Sequence, residues 1–301
     1  MSVPAIEIER LEKRLGDFQL GPLNLAVPRG AICGLIGPNG AGKTTTLDLL
    51  MGMGRKDRGE IRILDMDLNR DGVAIKRKIG YVSPDLNFQP WGTVGRSIDF
   101  VRGFYPDWNE AHCERLLRDF GLGRNETIAQ LSFGARIKLA LVLVLSRQAE
   151  LLLLDEPTIG LDVGSRLKLF SELLAFMQRE DRTIVIASNQ LSDVERFADH
   201  VAIIDRGRLL AFGRLDELVD RYHQVDVRLT NGATSAAMEG TYAIQHDGDR
   251  QRLVVDRTIC PLEKLRSSHC EILAETVLTL EEVFIALVGR SSSQQPQSEA
   301  R

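Results

Sequence analysis

Gly37-Pro38-Asn39-Gly40-Ala41-Gly42-Lys43-Thr44-Thr45 is the stretch whose reading decides the fold. It fills the pattern Gly-x-x-x-x-Gly-Lys-Ser/Thr, with Gly37, Gly42, Lys43 and Thr44 in the fixed places. Ahead of it, residues 31–36 carry Ile32, Cys33, Leu35 and Ile36 and predict a short buried strand. After it, residues 44–53 carry Leu47, Leu50 and Met51 at helical spacing and predict a helix. Glycines at 37, 40 and 42 let the backbone approach a phosphate chain without a Cβ in the way, so that the N–H groups from Asn39 through Ala41 to Thr45 face anionic oxygens. The positive end of the helix dipole lies beneath them. Lys43 is then placed to reach β- and γ-phosphates, and the Thr44 hydroxyl to take a position on Mg²⁺.

The rest of the composition sets bounds. A chain of 301 residues has room for one large domain and a small one. With 44% hydrophobic and 27% charged residues it reads as an ordinary globular protein. No apolar run approaches the roughly 18–20 residues of a membrane span, and Met1-Ser2-Val3-Pro4-Ala5-Ile6-Glu7 lacks a basic-then-apolar leader. A net charge of −4 argues against a broad nucleic-acid surface, so no nucleic-acid partner is expected. Cys33, Cys113, Cys260 and Cys270 form no C-x-x-C pair and sit among apolar residues, which predicts buried reduced thiols and a cytosolic setting.

Outward from the loop, Ile6 and Ile8, then Leu23, Leu25 and Val27, alternate as half-buried strands do around a turn at Gly16-Asp17. Residues 60–64 and 79–82 predict further strands, separated by a polar segment at 65–78. Three helices are expected at 94–104, 110–120 and 133–146. Strands return at 151–154, 183–187 and 201–204, with helices at 164–178 and 191–197 between them, the alternation of a parallel α/β sheet. Leu151-Leu152-Leu153-Leu154-Asp155-Glu156 predicts a central strand that delivers Asp155 to the sheet edge, where it can hold Mg²⁺ through water while Glu156 orients or deprotonates a water in line with the γ-phosphate.

In order, Gly37 to Thr45, Leu131-Ser132-Phe133-Gly134-Ala135, Asp155-Glu156-Pro157-Thr158 and Gly160-Leu161-Asp162 resemble the nucleotide-binding subunit of an ABC transporter over about residues 5–218. The resemblance implies a P-loop NTPase core with an N-terminal antiparallel β-subdomain and a helical subdomain at about 84–148. It implies ATP and Mg²⁺ as ligands and head-to-tail pairing with a second nucleotide-binding subunit, homo- or heterodimeric. Ser132 and Gly134 would then face the partner's γ-phosphate, and Asp162 would link the two sites. Without the resemblance, Ser132 reads as an N-cap for the helix at Phe133, a role compatible with the other. A polytopic membrane permease would dock beside residues 84–93, and the subunit would sit in the cytoplasm on the inner face of the cell membrane.

Departures from the family pattern are specific. Phe133 and Ala135 replace a glycine and a glutamine of the signature. Ser83-Pro84-Asp85 stands where a Mg²⁺-sensing glutamine is usual, leaving Asp85 to act through water. Asn189 stands at the switch histidine; it can donate to a γ-phosphate oxygen but carries no positive charge. Leu15 falls where an aromatic ring commonly stacks on adenine, with Phe18 as a substitute. The expectation is an ATPase that binds well and turns over slowly. Phe88, Pro90, Trp91, Phe104, Tyr105, Pro106 and Trp108 are either a docking surface or the helical subdomain's own core.

Beyond 220, strands at 224–229, 242–245 and 252–255 with turns at Asn231-Gly232 and Asp247-Gly248, then helices at 261–267 and 280–288, predict a small α+β extension over 221–290. It is similar to the C-terminal extension of exporter-type members of the family, and Leu280-Glu281-Glu282-Val283-Phe284 matches a helix common there. His246 and His269 read as surface residues, and 291–301 as a disordered tail. Two other readings stay open: a non-transport ABC ATPase acting on ribosomes or DNA, and a regulatory ATP-binding module with little turnover.

Overall fold

Four leucines in a row form strand β7 (Leu151–Asp155), and each alternate pair faces a different core. Leu152 and Leu154 join one cluster with the helices, while Leu151 and Leu153 join another with the N-terminal strands and the phosphate-loop helix. β8 (Thr183–Ser188) divides the same way, with Ile184 and Ile186 on one side and Val185 and Ala187 on the other. A strand covered on both faces needs an apolar residue at every position, which is why the run is continuous rather than alternating.

The computed structural model describes residues 3–86, 92–179, 181–230, 235–236, 238–266 and 270–293. β7 and β8 belong to a six-stranded sheet with β3 (Ile32–Ile36), β6 (Ile79–Val82), β9 (His200–Asp205) and β10 (Arg208–Arg214), in the order β10-β9-β3-β8-β7-β6. All pairs are parallel except β9 with β10. Against one face lies an antiparallel sheet of β1 (Ile6–Leu15), β2 (Phe18–Val27), β4 (Arg58–Ile63) and β5 (Met66–Asp67). Against the other lie α3 (Val94–Arg102), α4 (Glu110–Phe120), α5 (Phe133–Leu145) and α6 (Val163–Met177). The helix bounds follow from caps: Asn109 accepts from His112 N at the start of α4, and Gly121 ends it with φ 69°.

The third sheet, β12-β13-β11-β14, is antiparallel and comprises β11 (Tyr222–Leu229), β12 (Thr241–Asp247), β13 (Arg250–Asp256) and β14 (Cys270–Val277). Alternate residues of β11 divide between Asp226 outward and Val225 and Val227 inward, onto a small core with Leu253, Val255, Cys260 and Leu265. All four cysteines are buried and free, and burial pushes the Cys33 thiol up to about 12.

The P-loop NTPase architecture expected from the sequence is the one observed, with differences in detail. Residues 65–78, read as a polar connection, hold β5 and α2 (Leu68–Lys78), a helix that buries only Ile75 and is kinked at Asp71. The phosphate-loop helix α1 is Lys43–Leu50, and Met51 and Gly52 form a turn instead of continuing it. β10, α8 (Leu215–Arg221) and β14 were not expected; α7 (Leu191–Phe197) and α9 (Leu262–Arg266) were. The last helix, α10 (Leu280–Ser293), runs into the stretch read as a disordered tail. Phe88, Pro90 and Trp91, the turn at Asn231-Gly232, His269 and residues 294–301 lie outside the described residues.

Candidate functional site

β3 ends at Ile36 on the carboxyl edge of the parallel sheet, with β8 on one side of it and β9 on the other, so the loop that follows opens where the strand order turns. The turn requires glycine at 42. Its φ is 107°, and a Cβ there would stand 2.7 Å from Leu20 Cδ1 and 3.0 Å from the Phe18 ring. Phe18 is thereby packed beneath the loop, whereas Leu15 is 49% exposed.

Lys43 is 7% exposed and folds back under the loop. Its Nζ donates to Gly37 O at 2.8 Å and Pro38 O at 3.2 Å, and lies 3.9 Å from Glu156 Oε1. Burial lowers its pKa, while Glu156 and Asp155 raise it again. The Thr44 hydroxyl donates to Asp155 Oδ2 at 2.7 Å, and the other oxygen, Asp155 Oδ1, is buried with no partner. Burial pushes the Asp155 carboxyl up; the Thr44 hydrogen bond and Lys43 oppose this, and the charges of Asp48 and Asp85 add to it.

Glu156 holds a left-handed backbone conformation, φ 44°, which a non-glycine residue keeps only when its surroundings enforce it. One hydrogen bond holds its backbone and a second holds its carboxylate. Glu156 N donates to Ala187 O at 2.9 Å, and Asn189 N donates to Glu156 Oε1 at 2.9 Å. Burial raises the Glu156 carboxyl, partly offset by Lys43 and by the Asn189 N–H, bringing it nearer the range of a general base. The Asn189 side chain reaches back to the loop, Nδ2 donating to Asn39 Oδ1 at 3.4 Å.

Lys43, Thr44, Asn39, Asp155, Glu156 and Asn189 are thus drawn to one sheet edge by direct contacts, and Asp85 stands close enough to act on Asp155. Ser132, Gly134 and Asp162 form a separate group. Ser132 is exposed and caps α5, accepting from Ala135 N at 3.2 Å. Gly134 packs so tightly on the loop after β7 that a Cβ would fall 2.2 Å from Gly160 O, and the Phe133 ring lies over Gly160. Asp162 caps α6, accepting from Ser165 Oγ at 2.6 Å and Ser165 N at 2.8 Å, and pairs with Lys138 at 3.0 Å. The Ser165 hydroxyl, its N–H and Lys138, in that order, hold the Asp162 carboxyl well below the usual range. Among the described residues no hydrogen bond joins this group to the phosphate loop.

Sequence reasoning missed Asp48 and Tyr81. The Tyr81 hydroxyl donates to Asp48 Oδ1 at 2.8 Å, and Asp48 lies four residues after Thr44 on the same face of α1. That spacing was the available signal.

The ABC transporter family model matches residues 20–159. The daunorubicin resistance ATP-binding protein DrrA3 of Streptomyces coeruleorubidus is 32% identical over 96% of this chain and 97% of its own length. The ABC transporter ATP-binding protein YtrB of Bacillus subtilis is 27% identical over 94% of this chain and 98% of its own. Among solved structures, the ATP-binding subunit of an ABC transporter superposes with a TM-score of 0.65 at 27% identity, covering 72% of this chain and 92% of that one.

Proposed function

Since the chain belongs to the ABC transporter family of ATP-binding proteins, we propose that it binds ATP at residues 37–45 and hydrolyses it to drive a transporter whose membrane spans lie in a separate permease subunit. The observation that carries this reading is the convergence of Lys43, Thr44, Asp155 and Glu156: an ammonium, a hydroxyl and two carboxylates within a few ångströms at a helix N-terminus. In this reading the loop N–H groups and Lys43 bind the phosphates, and Lys43 exchanges the Gly37 and Pro38 carbonyls for phosphate oxygens. Glu156, fixed by Asn189 N, orients a water and accepts its proton.

The residues present fit Mg²⁺. Asp155 offers a buried, unpartnered oxygen beside the Thr44 hydroxyl, and Asp85, whose charge acts on Asp155, is the residue we assign to a further oxygen through water. Bound there, Mg²⁺ would neutralise phosphate charge.

The exposed Ser132 hydroxyl and the N-terminus of α5 fit the family's head-to-tail pairing, with Gly134 and Asp162 behind them. Phe104 is 61% exposed and meets Phe100 edge-on, which favours docking over core for that ring, whereas Tyr105 and Trp108 are partly buried. No helix of the described residues is long and apolar enough to cross a membrane, consistent with a cytoplasmic subunit seated on a permease at the inner face. We assign residues 1–220 to the ATPase domain and 221–290 to the extension. Similarity to a daunorubicin resistance ATP-binding protein supports efflux.

Titration calorimetry tests the reading: Mg-ATP should bind with measurable heat, and Lys43→Ala should abolish it. Equal affinity in the two proteins would sink it. A second reading, a module that pairs on ATP with little turnover, is favoured by Asn189 and Phe133 and is separated by phosphate release.

A further inference from the structure

At the amino edge of the central sheet, where β7 and β8 begin and opposite the phosphate loop, α4, α5 and α6 enclose a cleft of about 140 Å³. Its charge is unbalanced. Arg147, Arg179 and Arg182 line it, and among the described residues none of the three has a carboxylate within ion-pairing distance. The carboxylates nearby are committed elsewhere. Glu172 takes both terminal nitrogens of Arg115 at 2.6 and 2.8 Å and His112 Nε2 at 3.0 Å, and Glu150 takes Lys78 at 2.6 Å.

The three guanidiniums make do with neutral acceptors. Arg179 and Arg182 both donate to a single oxygen, Gln148 Oε1. Arg147 stacks 3.7 Å above the Tyr105 ring, donates to the Lys76 and Ile79 carbonyls, and leaves its Nε buried without a partner. Burial disfavours the charged form of Arg182, and the like charge of Arg179 adds to it, with the Glu150 carboxylate opposing both to a lesser degree. Holding the exposed Arg179 and the half-buried Arg182 on one amide oxygen, with Arg147 beside them, costs stability that a carboxylate at position 148 would recover.

We infer that this cleft is a second anion site, built for a phosphoryl oxyanion. Guanidinium forks arriving from the ends of α5 and α6 and the start of β8 offer more donors than a planar carboxylate can accept, and a tetrahedral group with three free oxygens uses them. The phosphoryl group is either free phosphate or the headgroup of an anionic lipid.

The test uses the full chain carrying Lys43→Ala, so that the phosphate loop does not contribute. Titration with inorganic phosphate at constant ionic strength should saturate, and Arg179→Gln with Arg182→Gln should weaken binding by about tenfold or more. Gln148→Glu supplies the missing carboxylate from within; it should abolish phosphate binding while the melting temperature holds or rises, which separates loss of the site from loss of the fold. Co-sedimentation with phosphatidylcholine vesicles, with and without phosphatidic acid, distinguishes the sources. Phosphate binding without vesicle binding assigns a free ion, and capture by phosphatidic acid alone, sensitive to Gln148→Glu, assigns a headgroup. Absence of both, or binding indifferent to these substitutions, overturns the site.

Discussion

At Asn189 a single side chain sets what the proposed chemistry lacks. Its backbone N–H positions Glu156 and its amide reaches Asn39, so the residue is in place, but an amide offers a developing phosphate charge a dipole where an imidazolium would offer a charge. A donor at such a position is typically worth about 3 kcal/mol of transition-state stabilisation, and a neutral one forfeits part of it. Asn189→His should therefore raise steady-state phosphate release by at least about tenfold, with Mg-ATP affinity little changed; turnover that stays flat removes this position as the limiting one. Asp155 makes the opposite bargain between function and fold. Burial lifts its carboxyl above the unfolded value, so the ionised form is disfavoured in the native state; the resulting destabilisation is absent at low pH and develops as pH rises through the folded pKa. Asp155→Asn should melt a few degrees higher than wild type at neutral pH, with the gap closing toward pH 4 as wild-type Asp155 protonates, and an unchanged or lower melting temperature at neutral pH would refute this. The motif residues were legible because each is a fixed chemical type at a fixed spacing. Asp48 and Tyr81 were not, because their contact joins a helix to a strand about thirty residues away.

Elements that carry the site were read correctly where burial forces a pattern. β7 needs an apolar residue at every position because it faces two cores, and α4 and α5 show regular apolar spacing between identifiable caps. Those that escaped bury little: α2 hides only Ile75 and bends beside Gly72, and β14 is mostly exposed after Cys270, so neither imprints a period. β10 was announced only by the Arg206-Gly207 turn, with Gly207 at φ 75°. The contact between the start of α5 and the loop after β7 has no room to spare, since even a methyl at 134 would lie 2.2 Å from Gly160 O. Gly134→Ala should cost about 1–3 kcal/mol, seen as a lower denaturant midpoint, and should impair turnover more than nucleotide binding because Ser132 moves while Lys43 does not. A midpoint equal to wild type would mean that the two backbones can separate without penalty.

Across the whole molecule, the extension is joined to the ATPase core through shared burial. Ile36 of β3, Val201 and Ile203 of β9, Leu218 of α8, Tyr222 of β11, Val254 of β13 and Leu280, Val283 and Leu287 of α10 form one cluster, so the last helix completes a core begun in the central sheet. Arg221 adds a charged clasp at the same junction, paired with the fully buried Asp256, which also accepts from Thr258. Domains that share a core of this kind unfold together unless the interface is weak compared with either part. Leu280 has no exposed surface, and truncating it leaves a cavity at the centre of the junction. Leu280→Ala should cost about 2–5 kcal/mol and move one calorimetric transition to lower temperature without dividing it. If the variant instead melts in two steps, with the step that retains Mg-ATP protection unmoved, the extension folds as an independent unit and α10 contributes nothing to the ATPase core.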